Sequence, residues 1–351
     1  MGKSDNTSKT FLADNRRFAD LCNYYLFNGE QIIKPEDLTE QDTTEILDTV
    51  GSAEKVLGIS DKSLSVQKWR DILKRAIIRY TDECIYVIIG IENQSEIHYA
   101  MPVRNMLYDA INYSRQAAEA DKLHRTNKDY VERAEFLSGF KKNDSLTPVI
   151  TLTVYWGDDV WDAPRSLHDM FKDNTLSLRK YISDYKLNLI APSEITDFDK
   201  FRTSLGMVLE VIKYASDEAA MGRLLTQNPK FDHIEADAVR AINTFTKFKV
   251  SINNDEEEIN MGNAWEDHRL SGKREGLREG LCEGKREGTT LKLIDQTIKK
   301  FKKGCSVEQI ADMLEESTEN IRPIYDIIST MGGDYDAEKI YALLNKTSVS
   351  A

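Results

Sequence analysis

The fold of this chain is decided by one stretch, Tyr86-Val87-Ile88-Ile89-Gly90-Ile91-Glu92-Asn93-Gln94-Ser95-Glu96. It begins as a continuous apolar run rich in β-branched residues, which predicts a buried strand. Because side chains alternate along a strand, Glu92 and Gln94 share one face and Asn93 points to the other. Polar groups at the end of a buried strand are costly without partners, so this ending indicates a site.

The preceding residues, 71–80, predict a second strand that pairs with the first in a hairpin. With Thr81 and Asp82 at the tip, paired positions sum to 163, and Asp71 lies opposite Glu92. Opposed side chains are about 5 Å apart, where two carboxylates repel each other unless a cation joins them. Mg²⁺ takes such oxygens and keeps several waters. A slip of one residue in the register would break this pairing. The alternative to a metal site is that Asp71 caps a turn and that Glu92 and Gln94 are the solvated end of a strand.

The sequence around these residues resembles that of a known protein family. Residues 91–104, Ile-Glu-Asn-Gln-Ser-Glu-Ile-His-Tyr-Ala-Met-Pro-Val-Arg, followed by Tyr108, are similar to the recombination-promoting nuclease/putative transposase family, a branch of the PD-(D/E)XK nuclease superfamily. The resemblance extends over residues 10–225. It is carried further by residues 16–21, 27–30, 70–71, 147–150 and 154–157.

This resemblance implies an α/β fold, with a restriction-endonuclease-like mixed β-sheet flanked by helices and a helical C-terminal extension. It implies that Asp71 and Glu92 bind a metal ion, Mg²⁺ with Mn²⁺ or Ca²⁺ as alternatives. Gln94 stands where the superfamily more often has lysine, so a neutral amide would orient water or phosphate instead of supplying charge. In some members an acidic residue on the first helix also reaches the metal, which makes Asp14 or Asp20 a further candidate here, with a solvated helix face as the alternative for either residue.

The function implied is that of a metal-dependent DNA endonuclease, linked to recombination or mobile elements. A catalytically inactive DNA-binding or assembly protein that keeps the nuclease fold is the alternative, and RNA cleavage is a third. Arg104 and Tyr108 lie one turn apart on the next predicted helix and could hold phosphate, with an ordinary structural role as the alternative for both. The basic segment 122–142 is a candidate contact with the DNA backbone, although a charged surface helix explains it too.

Composition narrows the setting. The net charge of −12 argues against indiscriminate nucleic-acid binding, yet a locally basic groove remains compatible with it. No apolar stretch approaches the length of a membrane span, so no membrane partner is expected. The four cysteines form no Cys-x-x-Cys pair, which favours a cytoplasmic protein without disulfides or zinc.

Periodicity predicts the remaining order of elements. Helices are expected over 11–27, 99–125, 201–220 and 236–248, and strands over 148–156 and 186–190. The helix over 99–125 has an apolar stripe formed by Val103, Met106, Leu107, Ala110, Ile111 and Ser114. The predicted domains are a nuclease-like domain (1–230), a helical and acidic connector (231–270), a charged arm (271–290) and a small helical unit (291–351).

The arm 271–290 has glycine at every fourth position: Gly272, Gly276, Gly280, Gly284 and Gly288. Each glycine inside a helix costs about 1 kcal/mol relative to alanine. The glycines would form a smooth stripe for close packing, so the arm either joins copies of the chain into a homo-oligomer or is a flexible charged linker. After it, Ser306 and Gln309 have the spacing of a capping box.

Overall fold

The computed structural model describes residues 3–41, 71–80, 83–252, 257–333 and 335–348. The chain divides into two compact units, Met1–His268 and Arg269–Ala351. The strands are β1 Leu38–Glu40, β2 Ile72–Tyr80, β3 Glu83–Gln94, β4 Val149–Tyr155, β5 Asn188–Ile190, β6 Ile234–Glu235 and β7 Glu258–Ile259. The helices are α1 Lys3–Ala13, α2 Asn15–Phe27, α3 Met101–Asn127, α4 Arg133–Ser138, α5 Ser204–Lys213, α6 Glu218–Gln227, α7 Ala236–Phe245, α8 Met261–Phe301, α9 Val307–Leu314, α10 Thr318–Thr330 and α11 Ala337–Ser348.

The first unit is built on a five-stranded sheet in the order β1-β2-β3-β4-β5. The β1–β2 and β2–β3 pairs are antiparallel, and the β3–β4 and β4–β5 pairs are parallel. The β2–β3 ladder runs from Ile72 opposite Ile91 to Tyr80 opposite Glu83, so the predicted hairpin register is confirmed. The predicted tip residues, Thr81 and Asp82, lie outside the described residues. The mixed sheet, its flanking helices and the helical C-terminal region confirm the predicted fold class.

One face of the sheet is covered by an apolar core. Ile89 and Ile91 of β3 belong to the same buried cluster as Phe18 and Leu21 of α2. Helices α5 and α7 add Leu205, Leu209, Val239 and Ile242 to this cluster. Burial of this kind stabilises the fold by about 25 cal/mol per Å² of apolar surface, so this face provides most of the hydrophobic stabilisation of the unit.

The opposite face is covered by α3, and the contact is polar. Asn105 Nδ2 donates to Thr153 Oγ1 over 2.9 Å, and Thr151 Oγ1 donates to Asp109 Oδ1 over 2.5 Å. The predicted apolar stripe therefore points away from the sheet, with Val103 41% exposed and Leu107 44% exposed. The threonines of β4 offer hydroxyl groups on this face, and the helix meets them with its polar side.

Several predicted boundaries are wrong. The helix expected over 11–27 is two helices, because Asp14 leaves the helical conformation and caps α2 by accepting from the N–H groups of residues 16 and 17. The helix expected over 201–220 ends at Lys213, and Asp217 caps a new helix, α6. Strand β1 was not expected, and the rest of the polar stretch before the hairpin, 42–70, lies outside the described residues. The stretch assigned to a connector, 231–270, contributes Phe231 and Ile234 to the first core.

In the second unit, the end of α8 packs with α10 and α11. Ile294 and Ile298 of α8 form a buried cluster with Ile324, Ile328 and Ile340. The predicted capping box is present, since Gln309 N–H donates to Ser306 Oγ and Ser306 N–H donates to Gln309 Oε1. The arm 271–290 is part of α8, and a Cβ added at any of its five glycines would meet no atom within 4 Å. Among the described residues, no helix has the length and apolar character needed to cross a membrane.

Candidate metal and nucleic-acid site

Asp71 and Glu92 lie side by side where β2 begins and β3 ends. The ladder's last pair is Ile72 with Ile91, so Asp71 occupies the next position beside Glu92. The Asn93 N–H donates to Asp71 Oδ2 over 2.8 Å and fixes this carboxylate at the end of the hairpin. Glu92 is completely buried. The structure thus brings the two predicted carboxylates together, and their binding of a metal remains a prediction.

Arg104 joins this pair from the first turns of α3. Its Nη2 lies 2.9 Å from Glu92 Oε2, and its Nε donates to Tyr108 Oη over 3.4 Å. Burial alone would lower the pKa of Arg104, but the charge of Glu92 outweighs it and raises that pKa. Burial, together with Glu92, raises the pKa of the Tyr108 hydroxyl. At neutral pH the guanidinium therefore stays charged and the phenol stays protonated.

Gln94 and Asn93 divide between the two faces as the alternation predicts. Gln94 follows Glu92 on the α3 side of the sheet and is largely buried. Asn93 points to the apolar face, where its Oδ1 accepts from Trp156 Nε1 over 2.8 Å. Asn93 is thus a structural residue, and Gln94 is the amide that lies in line with Glu92.

This donor set fits a partly hydrated ion. Within the described ranges, no group of three or more His, Cys, Asp or Glu residues is arranged to hold a metal. Asp71, Glu92 and the Gln94 amide therefore cannot form a closed cage of carboxylates and imidazoles. Mg²⁺ is commonly held by one or two carboxylates, with waters and substrate phosphate completing its shell. The residues present fit that kind of site.

Asp20 does not take part in this site. Its carboxylate accepts from the N–H groups of Arg202 and Thr203 and from the Thr203 hydroxyl, at distances of 2.6–3.0 Å. It lies on α2, which packs against the apolar face and not the face of Glu92. The structure contradicts the prediction that Asp20 joins the metal site, because both oxygens hold the chain entering α5.

Three side chains of the basic segment 122–142, His124, Arg125 and Lys141, pair with nearby carboxylates. His124 lies between Asp129 and Asp144, with N···O distances of 2.9 and 3.1 Å. Arg125 pairs with Asp121 on the previous turn, and Lys141 Nζ also reaches Asp129. These cations already have carboxylate partners, which weakens the interpretation of the segment as a DNA-backbone contact.

Helix α3 carries a row of polar residues on its sheet-facing side that the sequence did not reveal. Asn105, Asp109, Asn112 and Gln116 recur at helical spacing, and the first three are buried against the sheet. Asn105 is the residue of this row that is nearest to the site. Its hydrogen-bond partner, Thr153, is the residue of β4 that pairs with Glu92 of β3. Their signal was present as a polar stripe with period 3.6, but apolar periodicity on the other side of the helix concealed it.

Fold and site together define a mixed α/β protein of restriction-endonuclease-like architecture with a buried acidic cluster. Residues 66–236 match the model of a family described as "Putative transposase, YhgA-like". This match confirms the resemblance to a putative transposase family, and the matched residues include Asp71, Glu92, Gln94, Arg104 and Tyr108. A comparison with curated proteins gave no match, and a comparison with solved structures gave none.

Proposed function

We propose that this chain is a divalent-metal-dependent endonuclease that hydrolyses phosphodiester bonds in DNA, with a role in recombination or DNA mobility. The observation that carries the proposal is the hairpin register, which sets Asp71 beside the buried Glu92, with Arg104 2.9 Å from the same carboxylate. Two carboxylates that can hold a divalent ion, with one cation beside them, suit a phosphate whose charge must be balanced during attack. The family description supports DNA as the substrate.

Each residue has a role in this proposal. Asp71 and Glu92 would hold Mg²⁺, or Mn²⁺ or Ca²⁺ in its place. When bound, such an ion lowers the pKa of a coordinated water and stabilises charge on the phosphate. Gln94 would orient a phosphate oxygen or water through its amide, and Arg104 would supply positive charge to the DNA backbone. Tyr108 accepts a hydrogen bond from Arg104 and holds the guanidinium over the sheet.

The test is cleavage of supercoiled plasmid by the full chain, with Mg²⁺ or with EDTA. Asp71→Asn and Glu92→Gln keep the shape of each side chain and remove its charge. We expect metal-dependent nicking by the wild type and a loss of about 10²-fold or more in each variant. Asp20→Asn is the matched control, because Asp20 is a buried carboxylate, like Glu92, and holds the chain that enters α5 on the other side of the sheet. It should lower stability and leave the cleavage rate per folded molecule unchanged.

Other outcomes would redirect the proposal. If the wild type binds DNA but cuts it with none of Mg²⁺, Mn²⁺ or Ca²⁺, the chain is a non-catalytic DNA-binding or assembly protein. Cleavage that persists in both folded variants would place the active site elsewhere. RNA at equal concentration separates the two nucleic acids, and faster cleavage of RNA would overturn the assignment of substrate.

A further inference from the structure

Asn105 carries a buried oxygen that has no hydrogen-bond partner among the described residues. The residue is completely buried in α3, and its Nδ2 donates to Thr153 Oγ1 over 2.9 Å, whereas no described residue donates to Oδ1. In the described part of the chain, Asn93, Asn112 and Trp161 also have buried atoms without a partner, but these are nitrogens that donate hydrogen bonds and cannot accept one. Burying an unsatisfied polar group costs about 1–3 kcal/mol. The Asn105 oxygen is therefore an acceptor prepared for a donor.

Asn105 lies next to the residues that surround the Glu92 carboxylate. Thr153, which holds its amide, is the direct β4 neighbour of Glu92, and both side chains lie on the face that α3 covers. The preceding residue, Arg104, contacts the Glu92 carboxylate itself. The Asn105 amide thus lies over the strand next to Glu92, beneath the same turn of the helix.

We propose that Asn105 is a positioning residue of the metal site, whose Oδ1 accepts a hydrogen bond from a water bound to the divalent ion. This inference rests on the proposed metal site at Asp71 and Glu92. Mg²⁺ keeps several waters when it is held by few carboxylates, and these waters need acceptors. Thr153 fixes the orientation of the amide, in the way that outer partners of a metal site fix its inner groups.

The helix supplies a matched control. Asn112 lies two turns further along α3, on the same buried side, and is as fully buried as Asn105. Its Oδ1 accepts from Gln116 Nε2 over 3.0 Å, and its Nδ2 has no partner within the described ranges. Asn105→Leu and Asn112→Leu therefore remove the same side chain from equivalent environments. They differ in their distance from Glu92 and in which amide atom is left free.

The experiment measures Mn²⁺ binding to the full chain without DNA, by electron paramagnetic resonance of free Mn²⁺. We expect Asn105→Leu to weaken Mn²⁺ affinity by about 10–100-fold, and Asn112→Leu to leave it within about twofold of the wild type. Asn105→Asp retains an oxygen at the same place and should restore affinity to near the wild-type value. Thermal unfolding of each variant without metal separates loss of structure from loss of binding.

The outcomes distinguish this inference from the function on which it rests. Equal affinities in Asn105→Leu and Asn112→Leu, with binding abolished in Asp71→Asn, would overturn the role of Asn105 and retain the metal site. Unchanged Mn²⁺ binding in Asp71→Asn and Glu92→Gln would overturn both the metal site at these carboxylates and the role of Asn105. If Asn105→Leu weakens Mn²⁺ binding while the wild type cuts no nucleic acid, the positioning role stands and the nuclease proposal fails.

Discussion

Glu92 shows how the site is held at the scale of single residues. The carboxylate is completely buried, and Arg104 lies 2.9 Å from it. Breaking a buried ion pair by removing one partner costs about 3–5 kcal/mol, because the other charge is left uncompensated. Substitutions at Arg104 will therefore change stability as well as the proposed phosphate binding. Neutral isosteres at Glu92 are preferable to alanine, since they avoid adding a cavity to the lost charge.

Gln94 provides a prediction at this scale. If the chain is the proposed nuclease, Gln94→Ala should lower the metal-dependent cleavage rate by about 10-fold or more, because it removes the amide proposed to orient water or phosphate. Gln94→Lys introduces a cation in place of the amide and should retain more activity than Gln94→Ala. The measurement is the single-turnover rate at saturating protein. If alanine and lysine are indistinguishable from the wild type, the amide has no role in the reaction.

At the scale of elements, the hairpin could be predicted and the helix facing could not. The β2–β3 register follows from local information, since a two-residue turn fixes every pair above it. The same reasoning predicted the wrong buried side for helix α3. Its apolar residues, such as Leu107, face outward, and its buried side follows the hydroxyl groups of Thr151 and Thr153, which lie on a strand far along the chain. The side of a helix that is buried depends on a partner that is distant in sequence. The periodicity of the helix alone carries no information about that partner.

The end of α3 should make stability depend on pH. Burial alone would lower the pKa of His124, but hydrogen bonds to Asp129 and Asp144 outweigh it and raise that pKa. A raised pKa in the folded state contributes stability that is complete below the unfolded value, about 6.5, and is lost as pH rises through the folded value. His124→Gln should therefore destabilise the protein at about pH 5.5 and have little effect at about pH 9.

Urea denaturation of the wild type and His124→Gln at both pH values checks this expectation. Asp144→Asn is the companion variant, because it removes one of the two carboxylates that hold the imidazole. It should reduce the pH dependence without abolishing it. An equal loss of stability at both pH values would mean that packing of the ring, and not its charge, matters.

The glycine arm of α8 provides a second prediction for an element. Gly276 has no atom near an added Cβ, so Gly276→Ala should stabilise the helix by about 1 kcal/mol. Gly222 of α6 is the contrast, because an added Cβ would lie 2.9 Å from Trp265 Nε1 and force a shift. Urea denaturation measures both effects. If Gly276→Ala instead destabilises the chain and dissociates an oligomer seen by sedimentation, the arm packs closely against another copy, as the homo-oligomer prediction holds.

At the scale of the whole molecule, charge and domain division were only partly readable from sequence. The net charge of −12 and the acidic pair at Asp71 and Glu92 should both repel a polyanion. The division after His268 was not expected from the sequence. Helix α8 is continuous through this point, and the changes in amino-acid composition that suggested boundaries lie before and after it. Compositional shifts follow surface chemistry, whereas a compact unit is defined by which residues share a core.

The acidic balance leads to a prediction about DNA binding. A short duplex should bind at least about 10-fold more tightly in Ca²⁺ than in EDTA, because the ion converts an acidic site into one that accepts phosphate. Fluorescence anisotropy of a labelled duplex measures this ratio at constant ionic strength. The double variant Asp71→Asn and Glu92→Gln should lose the Ca²⁺ response. Binding that is equally tight in EDTA would locate the DNA contacts away from the carboxylates.

The hairpin that carries Asp71 and Glu92 also has a consequence for folding kinetics. Asp71, Glu92, Gln94, Arg104 and Tyr108 all lie within residues 71–108, on a hairpin and the first turns of the helix that follows. Contacts between residues close in sequence require little loop closure and form early, whereas the parallel β3–β4 pairing must wait for the crossover through α3. The acidic pair therefore meets before the sheet beside it is complete. A divalent ion present during refolding should accelerate the earliest phase and leave the slower docking of β4 and β5 unchanged.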